Sequence, residues 1–190
     1  MIELKPGAAI ERMSAFSDDQ LDQLCEATAE AIVDGSGFGW LRPPHRRVME
    51  SYWRGVLLVP ERELYVASLE GRVVGSAQLM RPPPNNEAGA HAAEISTFFI
   101  APWARGHGLA RGLLAAAEDS ARAQGFRQLE LSVRATQEAA IKLYEDWGFR
   151  RWGEHDRYAR MEGRYVAGYF YTKPLDQGGQ GGRSGGAAKS

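Results

Sequence analysis

The stretch from Ala93 to Ala123, AEISTFFIAPWARGHGLARGLLAAAEDSARA, is the part of the chain that most restricts its fold. Ile95, Thr97 and Phe99 alternate with Ser96, Phe98 and Ile100, the period of two expected of a strand with both faces occupied. Pro102 ends that strand. The run Arg105-Gly106-His107-Gly108-Leu109-Ala110 then forms a tight turn, and an amphipathic helix follows. Leu109, Leu113, Leu114, Ala117 and Ala121 share its apolar face, and Glu118, Asp119 and Arg122 are expected on the solvent side.

The strand–helix junction carries the chemistry. The first N–H groups of a helix have no internal partner and present a partial positive charge. Gly106 and Gly108 leave no side chain between that backbone and an approaching phosphate oxygen, so the turn reads as an anion cradle. Read alone, the same glycines are equally consistent with a turn that only starts a helix. A Walker A loop is excluded because no Gly-Lys-Ser/Thr is present. The dinucleotide fingerprint is nearly met, but its third glycine falls at Gly112, one place late. The acidic ribose ligand expected about 20 residues on is also missing, since Glu130 falls mid-strand.

A chain of 190 residues with 44% hydrophobic residues suits one globular domain, or one with an appendage. A net charge of −1 gives no electrostatic footprint for nucleic acid. No run of about 18 apolar residues suggests a membrane helix, and MIELKPGAAIERM has no apolar signal core. The lone Cys25 excludes an internal disulfide and fits a reducing compartment, so a cytoplasmic location is expected. Lying among Leu21, Leu24 and Thr28, Cys25 reads as core filler rather than a catalytic thiol. His91, His107 and His155 show no metal spacing, so no metal is expected, and His107 reads as a turn residue pointing outward.

In chain order, residues 2–4 are expected to form a short strand. Ser17 and Gln20 start a helix that ends by Gly35. Gly35 to Leu41 is a loop carrying Phe38 and Trp40. Pro43 and Pro44 are expected in the first turn of a second helix running to about Gly55. Leu64 to Leu69 and Arg72 to Met80 form a hairpin around Glu70-Gly71. After the strand–turn–helix unit come a strand over Leu129 to Val133 and a short helix capped by Thr136 and stopped by Gly148. A last hairpin pairs Phe149–Arg160 with Tyr165–Lys173. Residues 1–175 are expected to form the domain and the Gly-rich 176–190 a disordered tail. The order β-α-α-β-β-β-α-β-α-β-β predicts an α/β fold with a mixed central sheet flanked by helices, in which the Ala93–Val133 unit is a parallel crossover.

The pattern Arg-x-x-Gly-x-Ala at Arg105, Gly108 and Ala110 resembles motif A of the GNAT superfamily of N-acyltransferases. The segment from Leu131 through Gln137, Ala140, Tyr144 and Gly148-Phe149 resembles motif B of the same superfamily, in the right order and spacing. The resemblance covers about residues 2–175, and the last third is similar to a bacterial subgroup that includes tabtoxin-resistance acetyltransferases. Gln137 stands where the family often has Asn.

The resemblance implies acetyl transfer from acetyl-CoA to a primary amine. The pyrophosphate would sit on the backbone of Arg105, Gly106, His107, Gly108, Leu109 and Ala110. The pantetheine arm would pair with Phe98, Phe99 and Ile100 like an added strand, and Gln137 and Ala140 would flank it. An alkyl ammonium of pKa near 10 must lose a proton before it can attack. The resemblance offers Glu94 as the base, against its plain reading as a surface strand-end carboxylate. Tyr144 would supply a proton to the thiolate leaving group, although its spacing alone also fits a core tyrosine. Phe38, Trp40 and Tyr158 would wall the acceptor site. Family members are often dimers, which leaves a homodimer open, and no stripe in this sequence marks an interface. Three functions follow: a small-molecule amine acetyltransferase, a protein or peptide acetyltransferase, and an acyl-CoA-binding module without catalysis.

Overall fold

A computed structural model describes residues 4–35 and 38–176. Its elements are β1 (Ala8–Met13), α1 (Asp18–Val33), α2 (Arg46–Leu58), β2 (Arg62–Leu69), β3 (Arg72–Met80), β4 (Ala92–Ile100), α3 (Leu109–Ala123), β5 (Gln128–Arg134), α4 (Glu138–Asp146), β6 (Arg150–Met161) and β7 (Arg164–Pro174). This is the α/β order expected from the sequence. The strands form one sheet in the order β1-β2-β3-β4-β5-β7-β6, in which only β4 and β5 are parallel neighbours. A parallel pair needs a crossover, and α3 supplies it.

Local sequence explains most boundaries. Ser17 and Gln20 form a complete capping box, with Gln20 N–H donating to Ser17 Oγ at 3.1 Å and Ser17 N–H to Gln20 Oε1 at 3.0 Å. The hairpins turn at Glu70-Gly71 and Glu162-Gly163, where both residues of each pair have positive φ, as tight hairpin turns require. Burial is continuous from Glu63 to Ala67 and from Val73 to Leu79, so β2 and β3 are covered on both faces. The α1–α2 pair is joined by Trp53 Nε1–H donating to Thr28 Oγ1 at 3.2 Å.

Several expectations need correction. The strand expected at residues 2–4 lies outside the described residues except for Leu4, which is not in a strand; the first described strand is β1. Pro43 and Pro44 precede α2 instead of opening it, because His45 is the residue flanking its start. Thr136 does not cap α4; Gln137 occupies that position and makes no side-chain capping bond. The expected tail lies outside the described residues except for Asp176. Leu175 is buried, and its N–H donates to the Arg127 carbonyl at 2.8 Å.

The largest correction concerns Glu118, expected in solvent but buried. Its carboxylate accepts from Lys173 Nζ at 2.6 Å, Trp147 Nε1 at 2.8 Å and Arg122 Nη2 at 2.8 Å. These contacts tie α3 to the end of α4 and to β7. Burial alone would raise the Glu118 carboxyl; the bonds from Lys173, Arg122 and Trp147 outweigh it and hold the group below the ordinary carboxylate range. Such a group contributes stability that is fully present above its unfolded pKa, about 4.3, and is lost as pH falls through the folded value. Glu118→Ala, which strands the largely buried Lys173 cation, should cost about 3–5 kcal/mol in urea melts at pH 7. Glu118→Gln should lose stability less steeply than the parent protein below about pH 4; equal acid slopes would show that the carboxylate is not preferentially ionised in the fold.

Candidate active site

The site opens where two strands part. β4 pairs with β5 only through Ala92–Glu94 against Gln128–Glu130, yet β4 runs on to Ile100 and β5 to Arg134. Beyond Glu94 the backbone of β4 therefore has no strand partner on that side, and its polar groups need another one. A bulge sits in the same stretch. Thr97 and Phe98 lie opposite the single residue Ala77, and Thr97 has a φ of 48°. That conformation is strained for a β-branched residue, at a cost on the order of 1–3 kcal/mol. It is held by Ser76 Oγ donating to the Thr97 carbonyl at 3.1 Å and by a 3.3 Å contact between the Tyr52 and Thr97 hydroxyls.

The first cavity in the wedge has a volume of about 600 Å³ and lies against the start of α3. Phe98, Phe99, Ile100, Arg105, Gly106, Gly108, Leu109, Ala110, Gln137 and Ala140 all line it, so the sequence-derived cofactor residues converge on one place, His107 excepted. Gly106 and Gly108 each have a φ of 81°, so the turn needs glycine for its backbone as well as for access. Gly108 flanks the start of α3 without a side-chain cap. The first bond inside the helix is from Gly112 N–H to the Gly108 carbonyl, at 2.9 Å. No described residue accepts from the N–H groups of Gly108, Leu109, Ala110 or Arg111, which is the arrangement that takes an anion.

Other residues of the turn are structural. Arg105 pairs with Asp34 at 2.5 Å, so its charge is shared with the end of α1. His107 does not point outward: its Nδ1 lies 3.1 Å from the Ala104 carbonyl and 3.0 Å from that of Arg105, so Nδ1 is the protonated nitrogen and donates to the loop's own backbone. Gly112, the displaced third glycine, lets α3 approach β1, since a Cβ there would lie 2.9 Å from the Ile10 side chain. Gln137 Nε2–H donates to the Gly35 carbonyl at 2.5 Å and latches the loop after α1 onto α4.

A second cavity, of about 580 Å³, shares Phe98, Gln137 and Ala140 with the first. It holds Tyr144, Phe38 and Tyr158. Tyr144 is buried, edge-on to Phe98 with ring centroids 5.7 Å apart, and its hydroxyl has no hydrogen-bond partner among the described residues. Burial, and then the neighbouring Tyr158, raise its phenol above the ordinary value, so it stays protonated. Tyr158 reaches Ser132, their hydroxyls 2.8 Å apart. Trp40 does not line this cavity; it stacks behind Phe38 at 6.2 Å and packs edge-on against Tyr52.

Glu94 is not brought together with Tyr144. It faces a separate cleft of about 380 Å³ with Met80, Arg81, His91 and Glu130. The next two residues of the strand, Ile95 and Ser96, do line the Tyr144 cavity, so Glu94 stands beside that cavity on the far side of its wall. Glu94 keeps an exposed surface, yet partial removal from water, and then the Glu130 carboxylate, raise its carboxyl, with Arg62 opposing. Cys25 is core: burial pushes its thiol up to about 11. Sequence reasoning missed Arg134, Arg160 and Ser132 on the second cavity's wall, although Ser132 and Arg134 stand two apart at the end of β5, a spacing that places them on one face. Among the described residues, no group of three or more His, Cys, Asp or Glu is arranged to hold a metal, and no helix is long and apolar enough to cross a membrane.

The acetyltransferase (GNAT) family model matches residues 23–149, more than half of the chain, and the chain therefore belongs to the GNAT family of acetyltransferases. By class it is an acyltransferase. It is 56% identical over 128 residues to an uncharacterized N-acetyltransferase in the hisH-hisA intergenic region of Azospirillum brasilense, covering 67% of this chain and 76% of the relative. It is 30% identical to phosphinothricin N-acetyltransferase of Streptomyces coelicolor over 45% of this chain and 51% of the relative, about half of that protein's length. The fold matches that of a GNAT superfamily phosphinothricin acetyltransferase from Sinorhizobium meliloti solved in complex with acetyl-CoA, with a TM-score of 0.73, 24% identity and 95% of each chain covered.

Proposed function

We propose that this protein transfers an acetyl group from acetyl-CoA to a primary amine of a small molecule, directly and within a ternary complex. The observation that carries the reading is the pair of cavities meeting at Phe98, Gln137 and Ala140, one offering unpartnered backbone N–H groups and the other a buried phenol. The matched relatives named for phosphinothricin, one of them solved with acetyl-CoA, support both the cofactor and a small acceptor. A volume of about 580 Å³ falls within the range of small-molecule pockets, which favours a small acceptor over a protein segment. Residues 1–175 are taken as the catalytic domain.

In this reading the α3 turn holds the pyrophosphate and the unpaired edge of β4 from Phe98 to Ile100 holds the pantetheine arm. Acetyl-CoA supplies an activated acyl group whose C–S bond breaks as the amine nitrogen forms its bond to the carbonyl carbon. The amine gives up one proton and the departing sulfur gains one. A thiol titrates near 8.5, so full proton donation from a phenol lifted above 10 is uphill. Tyr144 therefore acts by directing its hydrogen bond at the charge growing on sulfur, a preorganised donor in a dry setting. Glu94 acts through water, as the far end of a relay past Ser96, which lies two residues along β4 and lines the Tyr144 cavity.

Calorimetric titration with acetyl-CoA tests the function. The intact protein should bind at micromolar concentration, and Gly108→Glu, which sets a carboxylate in the cradle and a side chain at positive φ, should abolish binding. No binding by the intact protein would remove the proposal. Tyr144→Phe should lower kcat about a hundredfold, within the range for a lost hydrogen-bond donor, with acetyl-CoA affinity changed less than about twofold; unchanged turnover would discard the donor role of the phenol. Glu94→Gln bears on the relay. Because the Glu94 carboxyl is raised, the acid limb of kcat/KM should lie above the ordinary carboxylate range in the parent enzyme and disappear in the variant. A limb that survives the substitution belongs to another group.

A further inference from the structure

The charged side chains on the wall of the second cavity are all of one sign. Arg134 and Arg160 line it, and among the described residues no Asp or Glu does. Arg134 is buried at the end of β5, donating from Nη1 to Met161 Sδ at 3.1 Å and from Nη2 to the Gly35 carbonyl at 2.9 Å, so it adds charge to the wall while Arg160 offers its guanidinium to the cavity. Arg160 is exposed on β6 and forms no ion pair with any described residue. The hydroxyls of Ser132 and Tyr158 stand on the same wall, bonded to each other at 2.8 Å, which leaves one O–H of the pair as a further donor. Glu94 and Glu130 face the separate cleft and do not line this one.

A plain alkyl ammonium entering this cavity would meet two guanidinium groups and no carboxylate among the described lining residues, an arrangement that works against binding. An amine that carries its own anion reverses the sign, and arginine matches the flat, two-oxygen geometry of carboxylates and phosphorus oxyacids. We infer that the acceptor is an amine bearing an anionic group, a carboxylate or a phosphorus oxyacid, seated on the Arg160–Arg134 wall with its nitrogen directed toward Phe98 and Tyr144. The inference rests on the proposed acetyl transfer and narrows its substrate class. The anion also holds the acceptor so that its amine is presented in one orientation, a contribution of position separate from charge.

The test is free-thiol release by the full chain at saturating acetyl-CoA over matched acceptors: each common amino acid, its amide, the amine lacking the carboxylate, 2-aminoethylphosphonate and short peptides. Anion-bearing members should exceed their neutral counterparts at least tenfold in kcat/KM. Arg160→Gln should narrow that ratio about tenfold, mainly through KM, and Arg160→Glu should narrow it further or invert it. Arg160 is exposed, and acetyl-CoA affinity measured on both variants reports that the fold is intact. Equal rates for acids and amides, or a preference for amines without an anion or for peptide N-termini, would overturn the inference and leave acetyl transfer standing. Acetyl-CoA binding without transfer to any member would also overturn it. Failure to bind acetyl-CoA at all would instead remove the function on which it rests.

Discussion

The parting of β4 from β5 after Glu94 is the constraint on which the rest of the structure depends. Two parallel strands that share only three residue pairs leave a wedge, and a wedge in the middle of a seven-stranded sheet has to be roofed and floored without being filled. The turn before α3 closes one end, and α4 lies along it with Gln137, Ala140 and Tyr144 facing inward. Antiparallel pairing of β5 with β7 along the whole length of β5 keeps the far side rigid, so the opening does not propagate into a split sheet. The bulge at Thr97 contributes by re-aiming the β4 backbone where the gap begins to widen.

An open wedge calls for firm anchoring of the helix that spans it, and α3 is anchored by two buried glutamates. Glu118 reaches forward to Lys173 and Trp147. On the other side Glu63 of β2 accepts from Ser120 Oγ at 2.7 Å, Tyr65 at 2.8 Å and Gln124 Nε2 at 3.0 Å, with Arg12 at 3.2 Å. Burial would raise the Glu63 carboxyl, and the bonds from Ser120 and Tyr65, with the charges of Arg12 and Arg81, more than offset it. Both ties act on the second half of α3. The first turn is left with its N–H groups uncommitted, held in place by Leu109, Leu113 and Leu114 in the core and by close packing at Gly112. Rigidity and availability are thus assigned to opposite ends of one helix.

Much of this was legible in the chain. The period-two run of β4, the glycines of the turn, the capping box at Ser17 and the hairpin glycines are local signals, and each specifies its element through backbone geometry that few residues satisfy. The cavity residues around Gly108 were legible for the same reason. Glu118 was misassigned because helical spacing puts it on the polar face of an isolated helix; only the third-layer partners Lys173 and Trp147, distant in sequence, make that face interior. Arg134 and Arg160 were invisible as a pair because they come from separate strands, with β7 lying between β5 and β6 in the sheet. Glu94 was placed correctly at the head of its strand, but strand geometry alone does not say which of two clefts a residue serves.

The wall opposite Tyr144 belongs to the β6–β7 hairpin, whose outer strand is the sheet's edge and exposed along most of its length. Tyr158 owes its placement there to Gly168, where a Cβ would fall 2.1 Å from the tyrosine ring. The exposed residues of β6 on that rim bond to neither of the buried glutamates, whose tie to the hairpin is Lys173 of β7. The wall of the second cavity can therefore vary through exposed residues of β6 while the turn before α3 keeps its shape, so change along that edge carries little consequence for the rest of the fold.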